Sequence, residues 1–167
     1  MAELTTTERL QPSLLDRLTD DAPLQRDESR EQRVISASRL RECVMRDLSW
    51  LLNSVHLAAS TRLEDMTDVA GSVLNYGIPD LTGLELAGLD VATLQRRLRE
   101  AILAFEPRLI AHTLQVTVQA NAQRMDRRSL VFDIRSEMWA QPIPLNLYLK
   151  TEVDLETGRM DLVEGNA

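Results

Sequence analysis

VATLQRRLREAILAFEPRLIAHTLQVTVQA, residues 91–120, changes its apolar period halfway along. In the first half Val91, Leu94, Leu98, Ala101, Ile102 and Phe105 recur at spacings of three and four. Gln95, Arg96, Arg97, Arg99 and Glu100 fill the other side, so the segment reads as a helix with one buried stripe. Asp90 stands where an N-cap carboxylate is needed. Pro107 ends the helix: the residue before a proline is pushed out of the helical region, which stops the helix near Phe105 and leaves Glu106 extended. From there the period becomes two. Leu114, Val116, Val118 and Ala120 alternate with Thr113, Gln115, Thr117 and Gln119, as a half-buried strand requires.

Downstream the period of two persists. Leu130, Phe132 and Ile134 alternate with Val131, Asp133 and Arg135, and this run reaches Met138 and Trp139. After Pro142 and Pro144, the residues Leu145, Leu147, Leu149, Val153 and Leu155 keep an odd register, with Asn146, Lys150, Glu152 and Asp154 opposite. A turn at Glu156-Thr157-Gly158-Arg159 returns the chain into a short strand around Met160 to Val163.

Upstream, Leu40, Val44, Leu48, Leu51, Leu52 and Val55 mark an earlier helix that ends near Asn53, with Arg39, Arg41, Glu42, Arg46 and Asp47 on its polar side. Ser36 is its N-cap, and Val34 and Ile35 are placed to staple the lead-in. Between the two helices, Gly71, Gly77, Pro79, Gly83 and Gly88 break any long pattern. Residues 58–88 therefore read as short irregular pieces, with a brief strand or helical turn around Val73 to Tyr76. The reading is an α+β fold: two main helices on one face of a small antiparallel sheet of two β-hairpins, preceded by an extended N-terminal arm. The expected boundaries are residues 1–33 for the arm and 34–167 for a single domain.

The arm is polar except at Pro12-Ser13-Leu14-Leu15-Asp16-Arg17-Leu18, where Pro and Ser can start a helical turn that lines up Leu14, Leu15 and Leu18. One turn does not persist alone. It either docks on another chain or folds back on its own domain.

A net charge of -7 lacks the attraction for phosphate on which most nucleic-acid binding rests, and an aromatic content of 4% leaves few rings for base stacking. No apolar run approaches the ~20 residues of a membrane span. Cys43 is the single cysteine, so no internal disulfide is possible, and no leader follows Met1; the reading is a cytosolic chain. Cys43, His56 and His112 are too scattered to hold a metal, and no cofactor motif occurs. Cys43 reads as a packed thiol, and His112 as opening a strand, partly exposed. Nucleophile elbows and phosphate-cradling glycine loops are missing as well. One enzymatic idea remains, glycoside hydrolysis by Glu106 with a second acid. Arg108 lies on the same side of the extended segment, and a neighbouring guanidinium favours the charged carboxylate, the wrong state for a general acid.

Three stretches together resemble the TssE family of type VI secretion baseplate subunits. They are Leu14-Leu15-Asp16-Arg17-Leu18, Ser72-Val73-Leu74-Asn75-Tyr76-Gly77-Ile78-Pro79-Asp80, and Phe105-Glu106-Pro107-Arg108-Leu109. The likeness extends to Leu40-Arg41-Glu42 and Asp47-Leu48-Ser49-Trp50-Leu51-Leu52-Asn53. The family is similar to a phage baseplate wedge protein that carries an old lysozyme-like label. The resemblance implies a structural part of a contractile injection machine, in the cytoplasm at the inner face of the inner membrane when assembled. It would sit beside the TssF and TssG wedge subunits and TssK, and offer sheet edges from which the TssB/TssC sheath polymerises. It further implies that Glu106, Pro107 and Arg108 engage the core bundle of the wedge. The last hairpin, Leu145 to Val163, is the edge chosen here for the sheath. Two other functions stay open on the residues alone: a lysozyme-like hydrolase acting on peptidoglycan, and an adaptor domain of another complex. The internal alternative for Glu106 and Arg108 is a clamp that holds the helix end against the sheet.

Overall fold

The computed structural model describes residues 13–19, 36–83, 90–120, 129–140 and 144–165, with backbone only for Arg17 and Ala120. The elements are α1 (Leu14–Leu18), α2 (Ala37–Leu52), α3 (Thr67–Ala70), α4 (Val91–Phe105) and strands β1 (Gln115–Ala120), β2 (Ser129–Met138), β3 (Leu145–Asp154) and β4 (Met160–Glu164). The strands form one antiparallel meander in the order β1-β2-β3-β4. The fold is α+β, as the change of period at Pro107 predicts. The expected pair of hairpins is joined by ten residue pairs between β2 and β3 into a continuous sheet.

The caps act as read. Ser36 Oγ accepts from the amide of Arg39, and Asp90 accepts from the amide of Thr93. Asn53 ends α2 and does more: its side chain donates to Met160 O and accepts from Met160 N, both at 2.9 Å, which ties the helix end to the start of β4. The stapling residues Val34 and Ile35, the helix-starting Pro12, Gly88 and the Pro142 interruption lie outside the described residues.

Leu40, Val44, Leu48, Leu51 and Leu52 of α2 and Leu94, Leu98 and Ile102 of α4 share one core with Leu130, Phe132, Ile134, Met138, Leu147, Leu149 and Val153 of the sheet. The opposite face of the sheet is polar, with Tyr148 donating to Asp133 at 3.0 Å while the Arg135 guanidinium lies 4.7 Å from its ring centre. His112 is exposed in the turn before β1, which begins at Gln115; the strand opens three residues later than expected, because residues 111–113 close a turn through Thr113 and Ile110.

Segment 55–78 is irregular in the manner expected, with 3₁₀ turns at Leu57–Ala59 and Val73–Asn75 around α3. It is closed by a parallel bridge in which His56 N donates to Ile78 O and Ile78 N donates to Ser54 O. Gly77 permits this closure: its φ is +127°, and a Cβ there would sit 2.5 Å from the Ser54 carbonyl oxygen.

Candidate functional site

Pro107 ends α4 and turns the chain onto the sheet. Trp139 N donates to Arg108 O at 2.7 Å and Ile110 N donates to Glu137 O at 2.8 Å, so residues 108–110 are sewn to the end of β2. This places Glu106, only 2% exposed, beneath Arg108. Arg108 Nε donates to Glu106 Oε1 at 2.6 Å, and Nη2 donates to Oε2 as well. Both carboxylate oxygens are therefore held by one guanidinium, in the bidentate manner that makes such pairs strong.

The pair does not stop there. Arg108 Nη2 also donates to Asp47 Oδ2 at 2.6 Å, across from α2. Arg46, the preceding residue, donates through Nε to Asp47 Oδ1 at 2.9 Å and through Nη1 to Asp16 Oδ1 of α1 at 2.6 Å. The result is a ladder of alternating charge, Asp16–Arg46–Asp47–Arg108–Glu106, running from the arm to the end of α4. Ser13 Oγ caps its outer end by donating to Asp16 at 2.6 Å. Tyr76, from the middle stretch, leans on the same corner: its ring meets Phe105 edge-on at 5.2 Å, and its hydroxyl donates to the Asp47 backbone carbonyl at 3.4 Å.

Burial opposes the charge on Asp16, Arg46 and Arg108, and the neighbours win. For Asp16 desolvation works to raise its pKa, but hydrogen bonds from Arg46, Ser13 and Cys43 bring it down to about 2. For Arg108 burial works to lower the pKa, and Glu106 and then Asp47 drive it upward instead. Arg46 is also raised, chiefly by its hydrogen bond to Asp16. Cys43 is buried against Asp16; desolvation and then the nearby carboxylate push the thiol upward, so it stays protonated and unreactive.

Of the residues singled out by sequence, Asp16, Glu106 and Arg108 are thus brought into one network. Leu14, Leu15 and Leu18 are not: they are 70%, 45% and 74% exposed and face away from the body. The short helix folds back on its own domain after all, but through Asp16 and not through its leucines, which leaves an apolar surface outward. Pro107 is exposed beside Arg108, and the Arg17 side chain lies outside the described residues. Arg46 and Asp47 were read only as the polar side of a helix. One local signal marks Arg46: Trp50, one turn on, is half exposed with the Arg46 guanidinium 5.0 Å over its ring. Nothing local marks Asp47, whose partner Arg108 is 61 residues away.

Both Glu106 oxygens are held by Arg108, which leaves none to donate a proton to a sugar oxygen, and the groove lined by residues such as His56 and Arg97 does not include Glu106. Among the described residues no group of three His, Cys, Asp or Glu side chains could hold a metal ion, and no helix is long and apolar enough to cross a membrane.

The two outer strands differ. On β1, the Leu114 and Val116 carbonyls receive hydrogen bonds from Arg99 and Gln95 of α4. On β4, the hydrogen bonds Gly165 N to Tyr148 O and Asp154 N to Arg159 O fix the alternation, so Met160, Leu162 and Glu164 turn their amide and carbonyl groups outward. Asn53 takes those of Met160. Among the described residues nothing takes those of Leu162 or Glu164.

A family described as baseplate wedge protein gp25 matches residues 38–143, a span that holds α2 through β2 and so includes Asp47, Tyr76, Glu106 and Arg108. No curated protein and no solved structure matches the chain.

Proposed function

The chain belongs to the baseplate wedge protein gp25 family, and from that premise we propose that it is a non-catalytic subunit of a type VI secretion baseplate, of the TssE kind, that starts sheath assembly at the β4 edge. The observation that carries the reading is the outer edge of β4: α4 side chains take the Leu114 and Val116 carbonyls at the start of β1, whereas on β4 the outward groups of Leu162 and Glu164 have no partner among the described residues. An open edge is a template for a strand from another chain, with backbone hydrogen bonds for affinity. Val163, 62% exposed between them, adds an apolar contact. The TssB/TssC sheath is the partner proposed for this edge.

The charged ladder supports the second half of the reading, a contact with the TssF and TssG wedge subunits and with TssK. Arg108 and Pro107 sit on a corner already rigid before any partner arrives, so little ordering cost attaches to binding there. The exposed Leu14, Leu15 and Leu18 offer an apolar surface at the outer end of the network, held by Asp16. Assembly of this kind places the protein in the cytoplasm, at the inner face of the inner membrane.

Glu164→Pro tests the edge. Proline removes an amide that points outward and no bond to β3, and the Arg41–Glu164 ion pair lost with it, at 3.3 Å, is a surface contact worth less than about 1 kcal/mol. The variant should melt like the parent and co-purify with TssF and TssG, yet fail to start fluorescent sheaths. Sheath assembly at the parental level would remove the edge from the proposal. Association with TssF and TssG unchanged by both Arg108→Ala and deletion of residues 1–20 would remove the corner. Peptidoglycan release by the purified protein, lost in Glu106→Gln, would overturn the non-catalytic reading.

A further inference from the structure

Arg46 divides its donors between two acids: Nη1 holds Asp16 Oδ1 of α1 at 2.6 Å, and Nε holds Asp47 Oδ1 of its own helix at 2.9 Å. Asp47 is divided in turn, with its other oxygen on Arg108 Nη2 at 2.6 Å. Arg108 is divided between Asp47 and Glu106. Each interior member of the ladder therefore serves two neighbours of opposite sign, and what it gives to one is withheld from the other. The five side chains are between 3% and 31% exposed, so water screens these charges weakly. At the outer end stands α1, five residues that do not persist as a helix alone, fastened through Asp16 with their leucines outward. At the inner end Arg108 Nη1 has no partner among the described residues, and the side chain keeps 22% exposure, which leaves it within reach of another chain.

We propose that the ladder couples the Arg108 corner to the N-terminal arm: drawing Arg108 away from Asp47 loosens α1, and pressing it onto Asp47 tightens α1. The elements on which this acts are a docked and an undocked α1, two arrangements that both ends of the ladder bias. An Asp47 left without Arg108 takes more of Arg46, and its uncompensated charge repels Asp16, so α1 is held less. With Glu106 neutral, Arg108 leans on Asp47 alone, Arg46 is released to Asp16, and one repelling charge is gone, so α1 is held more. The effect thus alternates in sign along the ladder, whereas a contact that served only as a strut would loosen α1 whichever member was cut. An acceptor that a partner brings to Arg108 acts in the first sense, pulling the guanidinium outward and releasing an arm with three exposed leucines. That use rests on the corner contact proposed above. The coupling is a property of the free chain and is measured there, so it and the corner contact fail separately.

The test uses the full chain and reads Cys43, which is buried against Asp16 where α1 docks. Alkylation by iodoacetamide at low salt, each variant's rate divided by its own rate in urea, reports how often α1 leaves. Arg108→Gln should speed alkylation about threefold and Glu106→Gln should slow it about twofold, as expected of residues coupled in one network. The double variant should fall between Arg108→Gln and the parent, because neutralising Glu106 restores part of the hold on α1. It also leaves no orphaned charge at the end of α4, so if Arg108→Gln alone does not fold, a double variant faster than the parent beside a slower Glu106→Gln still supports the coupling. The acidity of the thiol does not produce this order, since a lost positive charge makes the thiolate rarer and alkylation slower. Raised salt should shrink the differences together, and Arg159→Ala, an exposed pair outside the ladder, should match the parent. A Glu106→Gln rate at or above the parent's overturns the proposal, as does a folded Arg108→Gln protein with a rate at or below it.

Discussion

Replacing Glu106 by glutamine keeps the shape of the side chain and removes one charge from the inner end of the ladder. In the parent, both Glu106 oxygens accept from Arg108. In Glu106→Gln one oxygen becomes an NH₂ that faces a guanidinium donor, so one charge-assisted bond is lost and two donors oppose each other. Removing one partner of a fully buried pair costs about 3–5 kcal/mol. Arg108 keeps Asp47 as a second partner and its side chain retains 22% exposure, which softens the loss. The expected destabilisation is about 2–3 kcal/mol, or a fall in Tm of about 5–10 °C for a domain of this size. Urea unfolding of the full chain measures it, with an unchanged m-value as the check that only stability has moved. Arg159→Ala is the control, since Arg159 and Asp161 pair at 3.4 Å with both side chains more than 70% exposed, and a surface pair contributes less than about 1 kcal/mol. Asp47→Asn combined with Glu106→Gln should be non-additive by about 1 kcal/mol, because the two acids share one guanidinium. A Glu106→Gln protein within about 0.5 kcal/mol of the parent would refute the idea that the ladder fastens the end of α4 to α2.

Asp16→Asn should loosen α1 from α2 and raise the alkylation rate of Cys43 at pH 7 by about tenfold or more, as expected for loss of about 2 kcal/mol of docking. Because the carboxyl drops from its ordinary 3.8 to about 2 when docked, that contribution is full above pH 4 or so, fades as the pH falls through about 2, and should leave the two proteins alike in α1 hydrogen exchange below that. Gly77→Ala should cost about 3 kcal/mol or more, read by thermal melting, since the new methyl would meet the Ser54 carbonyl at 2.5 Å in a backbone conformation that side chains rarely adopt. Leu48→Ala, at a position with no exposure at all, should cost about 3–4 kcal/mol through the cavity it leaves.

Much of the fold was legible because each element carries its own periodic mark. The alternation Leu114, Val116, Val118 stays buried in the structure, as do Leu147, Leu149 and Val153 in the odd register of β3; Ser36 and Asp90 cap the helices as read, and α2 ends at Asn53. The site was legible only in fragments. Glu106 and Arg108 face each other because an extended chain puts residues two apart on one side, which sequence can foresee. The join of that pair to Asp16 through Arg46 and Asp47 depends on how α1, α2 and α4 cross, and no spacing encodes it. Which way the leucines of α1 turn was illegible for the same reason: a stripe buried on its own domain and a charged anchor with leucines turned out look identical in five residues. The region 55–78 lacks any period, and its shape is set instead by one glycine and one two-bond bridge.

The carboxamide of Asn53 deserves a last consequence. By gripping both backbone groups of Met160, it imitates the end residue of a neighbouring strand and occupies the first berth along β4. Any strand laid alongside must therefore begin its pairing at Leu162, and since a shift of one residue would turn all its side chains over, a single amide on a helix sets the phase in which a newcomer is read.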